Sequence, residues 1–203
     1  MRLYYNPHST CSRRVWLVAH HLGVKVEPVL VDLFRGEQNA PEFLKLNPNH
    51  KVPVLEDDGF VLWESYAIMQ YLADATPGQT LYPAGPRERA DVNRWLFWCG
   101  QDFMPGIGIL NWENSIKSLA GIGPADPAAV ARGEDLLRQA ATLLDAHLDG
   151  REWVCDSGLS LADLALAAPL ADHERAKLPV GDLPHLQRWL KSVQALDCWK
   201  RSE

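Results

Sequence analysis

The order of secondary-structure patterns in roughly the first 75 residues is the feature that most constrains the fold. Apolar runs of strand length alternate there with runs in which apolar residues recur three or four positions apart, the period of a helix. These patterns predict strands at 2–5, 24–33, 51–56 and 60–64, and helices at 12–22, 41–47 and 65–75. The order β-α-β-α-β-β-α is typical of a small α/β domain. Pro28 favours an edge position for the second strand, because proline cannot donate a ladder hydrogen bond.

The rest of the chain has a different pattern. The stretch TPGQTLYPAGP, residues 76–86, contains three prolines and two glycines, a composition typical of a linker. Helical patterns follow at roughly 87–120, 126–149, 160–173 and 184–200. We therefore predict a small α/β domain over 1–77, a linker over 78–86 and an all-helical domain over 87–203.

Composition and charge exclude several classes of protein. The 203 residues are 47% hydrophobic, which is enough for a folded core, and their net charge is −6. This acidic balance argues against a nucleic-acid partner, which needs a clustered basic face. No apolar stretch approaches the roughly 18 residues of a membrane span, and the N-terminus has no signal-like pattern. We expect a cytoplasmic protein without membrane or nucleic-acid partners.

The cysteines indicate neither a metal site nor a disulfide framework. Cys11, Cys99, Cys155 and Cys198 are widely separated, and neither a Cys-x-x-Cys pair nor a paired Cys/His ligand motif is present. We therefore expect no bound metal, and thiols that stay reduced.

The segment YYNPHSTCSRRV, residues 4–15, places nucleophilic side chains where a strand gives way to a helix. Ser9, Thr10, Cys11 and Ser12 are consecutive. The start of a helix leaves backbone N–H groups unpaired and carries partial positive charge, so it stabilises an anion. A capping role accounts for one hydroxyl, but not for three hydroxyls and a thiol.

Two later motifs suggest how a small extended molecule is held. Lys51-Val52-Pro53 opens a strand, either as a simple loop-to-strand transition or as an edge that pairs with an extended peptide. Ser65 directly precedes a helical pattern and is expected to cap it, but its hydroxyl and the helix amides also suit a carboxylate. Glu64 suits an ammonium. Together, Glu64 and Ser65 fit an amino-acid zwitterion.

These motifs closely resemble those of cytosolic glutathione transferases. The resemblance rests on Tyr5, Pro7, Ser9 and Arg13, on NPNHKVPVL and LWES, and on LYP and LSLADL further along. It covers essentially the whole chain and is closest to the delta/theta-like group, as a bacterial-type member. It implies a thioredoxin-like N-terminal domain, an all-helical C-terminal domain and a homodimer. The implied activity conjugates the glutathione thiolate to small hydrophobic electrophiles, with glutathione as co-substrate and no permanently bound cofactor.

The resemblance also implies roles for individual residues. Ser9 matches the serine whose hydroxyl faces the glutathione sulfur. Val52 matches the residue whose backbone pairs with the cysteinyl unit, before a cis-proline at Pro53. Glu64 and Ser65 match the clamp on the γ-glutamyl unit.

Other implied roles concern the glycine end of glutathione and the second substrate. His50 and Gln38 fall where the glycine carboxylate is held. Insect delta enzymes commonly have histidine at the position of Gln38 and arginine at that of Tyr66. Gln38 can still donate a hydrogen bond, but Tyr66 removes a cation, so that either glutathione binds more weakly or Lys51 compensates. The residues expected to line the electrophile pocket are His8, Phe103, Met104 and Trp112.

Two alternatives remain open. Cys11 rivals Ser9 as the partner of the sulfur, because beta-class bacterial relatives use a cysteine one residue nearer the start. The protein would then be a glutathione-dependent disulfide reductase or deglutathionylase. A glutathione transferase-like binding protein without turnover is the other hypothesis, and Gln38 and Tyr66 are the features that it would tolerate.

LSLADL, residues 159–164, is expected to serve folding. Ser160 and Asp163 have the spacing of a capping box, with Ser160 at the N-cap and Asp163 at the third helical position.

Overall fold

The computed structural model describes residues 1–202. The chain folds into two compact units. The first unit contains Met1–Tyr82 and the chain from Leu196 onward, and the second contains Pro83–Ala195. The domain boundaries inferred from the sequence remain a prediction.

The first unit is built on a four-stranded mixed sheet in the spatial order β2-β1-β3-β4. Its strands are β1 (Arg2–Tyr5), β2 (Glu27–Leu30), β3 (Val54–Asp57) and β4 (Phe60–Trp63), and the helices between and after them are α1 (Thr10–Leu22), α2 (Pro41–Leu46) and α3 (Ser65–Asp74). Strand β1 runs parallel to β2 and antiparallel to β3. The predicted order of elements and the edge position of the proline-containing strand are both confirmed.

Strand β2 is shorter than the predicted strand at 24–33. An edge strand has one partner, so its length is set by that partner, and β1 offers four residues, which pair from Arg2↔Glu27 to Tyr5↔Leu30. Toward the middle of the sheet, Leu3 and Leu55 face each other across β1 and β3 and are both fully buried. Helices α1 and α3 pack together beside this sheet.

The second unit is helical. Its helices are α4 (Pro86–Trp98), α5 (Met104–Asn111), α6 (Lys117–Leu119), α7 (Pro127–His147), α8 (Leu161–Ala167) and α9 (Pro184–Gln194), and α10 (Asp197–Lys200) follows in the first unit, where it packs on α1. The single helix predicted over 184–200 is therefore wrong. The chain becomes extended at Leu196, with φ −65° and ψ 142°, between α9 and α10.

The helix predicted over 87–120 forms, but two wide π turns interrupt it, at Cys99–Phe103 and Trp112–Ile116. Pro105 accounts for the first, since it has no N–H to continue the regular ladder. Next to it, the Met104 amide donates to the carbonyl of Cys99, five residues back.

Helices α5 and α7 approach each other closely because both have glycine at the contact. A Cβ on Gly106 would lie 2.6 Å from the backbone nitrogen of Leu137 and 2.9 Å from the Gly133 carbonyl oxygen. A Cβ on Gly133 would lie 3.0 Å from side-chain atoms of both Ile109 and Leu110. Any larger residue at Gly106 would have to displace backbone atoms of α7.

The predicted capping box at the start of α8 is confirmed. The Asp163 carboxylate is fully buried and accepts hydrogen bonds from the amides of Ser160 and Val154 and from Trp189 Nε1, each 2.9 Å long. Burial raises the pKa of Asp163, and these hydrogen bonds oppose that rise. One side chain thus joins the start of α8 to the preceding loop and to α9.

No helix within residues 1–202 combines the length and the apolar character needed to cross a membrane.

We predict that Asp163→Ala lowers the free energy of unfolding by at least about 3 kcal/mol, because three buried N–H donors lose their acceptor at roughly 1–3 kcal/mol each. Urea denaturation followed by circular dichroism measures the change. Glu134→Ala, on the exposed surface of α7, is the control and should shift stability by less than about 0.5 kcal/mol. A loss below about 1 kcal/mol for Asp163→Ala would show that these bonds do not organise the unit.

Candidate glutathione site

The side chain of Asn6 fixes the point at which α1 begins. Asn6 is 4% exposed, and its Nδ2 donates to the carbonyl of Val31 at 2.8 Å, just beyond β2. Its Oδ1 accepts from the His8 amide at 2.9 Å, and its backbone carbonyl accepts from the Ser9 amide at 3.0 Å. The loop between β1 and α1 is therefore held at both of its ends.

Ser9 caps α1 and still has a hydrogen-bond donor to offer. Its Oγ accepts from the Ser12 amide at 3.2 Å, in the usual manner of an N-cap. A hydroxyl carries one O–H donor besides its lone pairs, so the cap leaves the Ser9 proton for another acceptor. The capping and sulfur-binding interpretations of Ser9 are thus compatible.

The other three candidates for the partner of the sulfur, Thr10, Cys11 and Ser12, differ in their exposure and contacts. Ser12 is 1% exposed, and its Oγ accepts from the Asn6 amide at 3.4 Å, so it faces the interior. Thr10 and Cys11 are half-buried, and Cys11 is a free thiol. Thr10 and Cys11 also carry the first amides of α1, which have no partner inside the helix.

Strand pairing brings the three sequence motifs to one end of the sheet. Tyr4, near the end of β1, pairs with Val54 at the start of β3, and Val54 also pairs with Trp63 at the end of β4. The segments that follow β1 and β4 therefore lie at the same end of the sheet as the segment that precedes β3. These segments contain Ser9, Glu64-Ser65 and Val52-Pro53.

The segment before β3 is held in a fixed loop. The Val52–Pro53 peptide bond is cis, as the resemblance implies. Asn47, 2% exposed, donates from Nδ2 to the carbonyl of Lys51 at 2.7 Å and accepts from the Asn49 amide at 3.0 Å. Among residues 1–202, no hydrogen bond involves the backbone amide or carbonyl of Val52. Sequence reasoning gave Asn47 no role, although it lies in the quoted motif.

The turn from β4 into α3 has a strained backbone. Glu64 has φ 74°, a left-handed conformation that costs a residue other than glycine about 1–3 kcal/mol. Its side chain is exposed, whereas Ser65, the first residue of α3, is 5% exposed. The predicted capping role of Ser65 is wrong, because the N-cap position belongs to Glu64.

Arg14 lies behind this turn and was not found from the sequence. It is 1% exposed, its Nη1 lies 3.4 Å from Ser65 Oγ, and its guanidinium lies over the Tyr66 ring, 4.4 Å from the centroid. A positive charge therefore sits beside Ser65 even though position 66 carries no cation. The available signal was the helical period, since Arg14 is four residues before the buried Val18.

Two of the residues expected at the glycine carboxylate, His50 and Gln38, have hydrogen-bond partners within the protein. His50 Nδ1 lies 2.8 Å from Asn39 Oδ1, so its partner is Asn39, to which sequence reasoning gave no role. Gln38 Nε2 instead lies 3.5 Å from the Leu33 carbonyl oxygen. Lys51 is exposed.

The four residues expected at the electrophile have different surroundings. In the first unit, the exposed His8 ring lies edge-on to Phe34, with centroids 5.7 Å apart. In the second unit, Phe103 is fully buried and stacks on Trp98, Met104 is partly buried, and Trp112 is 45% exposed. The Phe103 ring is therefore part of the core of its unit.

Comparison with known families decides the identity of this fold. Residues 8–75 match the model of the glutathione S-transferase N-terminal domain, and residues 113–197 match that of the glutathione S-transferase C-terminal domain. The chain belongs to the glutathione S-transferase family. The thioredoxin-like and all-helical parts implied by the sequence are thereby confirmed, as are glutathione as co-substrate and a glutathione S-transferase enzyme.

Individual relatives cover nearly the whole transferase. Glutathione S-transferase D7 of Drosophila melanogaster is 32% identical over 193 residues, which are 94% of this chain and 83% of the relative. A delta-class glutathione transferase structure from Nilaparvata lugens is 35% identical, with a TM-score of 0.87, and the match covers 100% of this chain and 92% of that one. Glutathione transferase F7 from Populus trichocarpa is 28% identical, with a TM-score of 0.89 and coverage of 99% and 96%.

We predict that Arg14→Met weakens glutathione binding by about tenfold, because Ser65 loses a charged hydrogen-bond partner. Isothermal titration calorimetry gives the dissociation constant. Arg14→Lys keeps the charge but not the planar stacking on Tyr66, so its dissociation constant should lie between those of the wild type and Arg14→Met. Arg87→Met, which removes an exposed cation from α4, is the control. Unchanged affinity in a folded Arg14→Met variant would rule out this role.

Proposed function

We propose that this transferase joins the thiolate of glutathione to small hydrophobic electrophiles, and that Ser9 donates a hydrogen bond to the sulfur. The observation that carries the proposal is the geometry of Ser9. Because its oxygen accepts the capping bond from Ser12, its proton is available to an anion at the start of α1. The half-exposed side chain supports access by a ligand.

The energy required matches what this arrangement offers. A free thiol has a pKa near about 8.5, so only a few per cent is ionised at neutral pH. Lowering that pKa by about two units takes roughly 2.7 kcal/mol, at about 1.36 kcal/mol per unit. One charge-assisted hydrogen bond supplies roughly 1.5–3 kcal/mol, and the positive end of α1 adds about 0.3–1 kcal/mol.

In the proposed reaction, the thiol proton leaves to solvent and the thiolate attacks an electrophilic carbon. With an aryl halide, a carbon–sulfur bond forms and the carbon–halogen bond breaks, so a halide ion departs. Ser9 stays chemically unchanged and stabilises the negative sulfur before attack.

The remaining contacts are proposed to orient glutathione. Glu64 would hold the α-ammonium, and Ser65 with the first amides of α3 would hold the α-carboxylate. Val52 would pair through its backbone with the cysteinyl unit, an assignment supported by its amide and carbonyl, which form no hydrogen bond with any of the described residues. At the glycine carboxylate we propose His50 and Lys51, together with Gln38.

Among the residues expected at the electrophile we propose a role for His8, whose exposed ring supports contact with a substrate. Met104 and Trp112 of the second unit remain predictions from the resemblance. Phe103 is fully buried, so its proposed role is indirect: it packs in the core of the second unit and stabilises the helical segment that contains it.

We predict that Ser9→Gly raises the apparent pKa of the bound thiol by about one to two units and slows conjugation at neutral pH by about 10–100-fold. Glycine is tolerated at an N-cap, so little stability is lost with the hydroxyl. Initial rates with 1-chloro-2,4-dinitrobenzene, measured from pH 5.5 to 9, give the profile. Ser9→Thr keeps a hydroxyl and should restore part of the rate.

Cys11→Ser is the matched comparison, because Cys11 neighbours Ser9 on the same turn. It should leave both the rate and the pH profile of conjugation unchanged. If instead Ser9→Gly has a normal profile and Cys11→Ser loses turnover of a glutathione mixed disulfide, the reductase alternative replaces the present proposal.

We further infer a cytoplasmic homodimer. All four cysteines are free, and three are buried, which supports a reducing compartment. In the second unit, a cavity of about 360 Å³ is lined by Arg94, Trp95, Trp98, Leu143 and His147, and Leu143 is 52% exposed. An exposed leucine in an aromatic cavity supports a protein contact there, in line with the homodimer that the resemblance implies.

We predict that Leu143→Arg converts the dimer to monomers, because an interface centred on this leucine would have to bury an unpaired charge. Sedimentation velocity at several concentrations distinguishes the mass of two chains from that of one. Leu119→Arg, at a leucine that is 53% exposed elsewhere in the unit, is the control and should remain dimeric. A monomeric wild type would contradict the homodimer, and a dimeric Leu143→Arg would place its interface elsewhere.

A further inference from the structure

The turn between β2 and α2, residues 32–39, is held by its own side chains. The Asp32 carboxylate accepts from the amides of Phe34 and Arg35, at 3.0 and 3.1 Å. The Glu37 carboxylate accepts in turn from the Asp32 amide at 2.7 Å, and the Glu37 amide donates to the Asp32 carbonyl at 3.1 Å. The turn is therefore ordered by bonds within the chain.

Asn39 is the last residue of this turn. Its amide donates to the carbonyl of Gly36 at 2.9 Å, and Gly36 has φ 75°, a left-handed conformation that glycine adopts without steric cost. Because this bond holds the backbone of Asn39, its side chain projects from a fixed point. That side chain reaches the loop before β3, where its Oδ1 lies 2.8 Å from His50 Nδ1.

The backbone of His50 is strained and is also held in place. Its φ is 57°, in the left-handed region that residues other than glycine seldom adopt. Its amide donates to the carbonyl of Asn47 at 3.2 Å, and Asn47 is 2% exposed. Strain of this kind persists where the surrounding contacts enforce it, and it is common at ligand-binding positions. The His50 ring is thus attached at a fixed point, and the bond to Asn39 fixes its rotation.

The bond to Asn39 determines which ring nitrogen of His50 is left for a ligand. Asn39 Oδ1 can only accept, so His50 Nδ1 carries a proton. Nε2, on the other side of the ring, is then the atom that faces an incoming carboxylate. Both nitrogens are donors in the imidazolium form, so the ring can bind Asn39 and a carboxylate at the same time. Lys51, the next residue, is exposed and offers a charge on a flexible stem, which does not fix a direction.

We propose that Asn39 is a positioning residue. It orients the His50 ring so that Nε2 meets the glycine carboxylate of glutathione, and the enzyme thereby distinguishes glutathione from thiols that lack this carboxylate. A partner on one nitrogen is a general way to orient a histidine for a contact at the other. The inference rests on the proposed function, which places His50 at the glycine end, and it adds a role for a residue that need not touch glutathione itself.

The probes for this proposal are glutathione and its glycine ethyl ester, which share the thiol and the γ-glutamyl unit and differ in charge at the glycine end. Calorimetry should show that the wild type binds glutathione about tenfold more tightly than the ester, as expected for one charge-assisted hydrogen bond. Asn39→Leu is similar in size but cannot form a hydrogen bond, and it should reduce this ratio to about threefold or less by weakening the binding of glutathione alone. Asn39→Asp keeps an oxygen acceptor for Nδ1 and should retain the ratio.

A positioning role requires the effect of Asn39 to act through His50. In a His50→Ala background, Asn39→Leu should therefore change the ratio no further. In conjugation assays, Asn39→Leu should raise the KM for glutathione and leave kcat nearly unchanged, because the thiol end of the ligand is not affected. Asn39 and His50 are both exposed, so these variants should fold normally. Gln194→Leu, which removes an amide at the end of α9, is the control and should keep the wild-type ratio.

The positioning role is wrong if Asn39→Leu keeps the wild-type ratio while His50→Ala loses it, or if Asn39→Leu has the same effect with and without the His50 ring. Either result leaves the proposed conjugation reaction intact. A wild type that binds both probes equally would overturn the positioning role together with the placement of His50 at the glycine end. The pH profile of Ser9→Gly does not depend on the glycine end, so it tests the reaction separately.

Discussion

The buried amide of Asn6 is the interaction on which the candidate site depends. Through Val31 and His8 it ties the end of β2 to the loop after β1, and its backbone holds Ser9 where α1 begins. Without that anchor, the Ser9 hydroxyl and the first helix amides would not be fixed relative to the sheet. A preorganised donor does not have to rearrange when a negative charge forms next to it. Its hydrogen bond therefore stabilises that charge without a free-energy cost for ordering the loop.

The architecture could be predicted because it depends on patterns local to the chain. Alternating strand and helix periods gave the order of elements, and Pro28 indicated the sheet edge, where β2 lies. The capping box at Ser160 was equally readable, since its two members are three residues apart. Ser9, Val52 and Glu64 were predicted as site residues because their motifs resemble those of glutathione transferases. The register of the sheet places the segments that contain them at one end of the sheet.

What the sequence did not reveal depends on contacts between distant residues. Arg14 meets Ser65 across 51 positions; the helical period places Arg14 on the buried face of α1, but no local pattern reveals that Ser65 is its partner. Asn39 contacts His50 only because a short turn folds toward the loop before β3. The same limit applies to Asp163, whose capping role was evident but whose bond to Trp189 required the packing of α8 against α9.

The wide turn beside Pro105 affects how the long helix presents its surface. A turn that takes in one additional residue rotates everything beyond it by about 100° relative to an uninterrupted helix. The side chains before Cys99 and those after Phe103 consequently follow two different phases of the same apolar repeat. Deleting a single residue in this turn would straighten the ladder, but it would also swing Gly106 away from Gly133 and place a bulkier neighbour against α7.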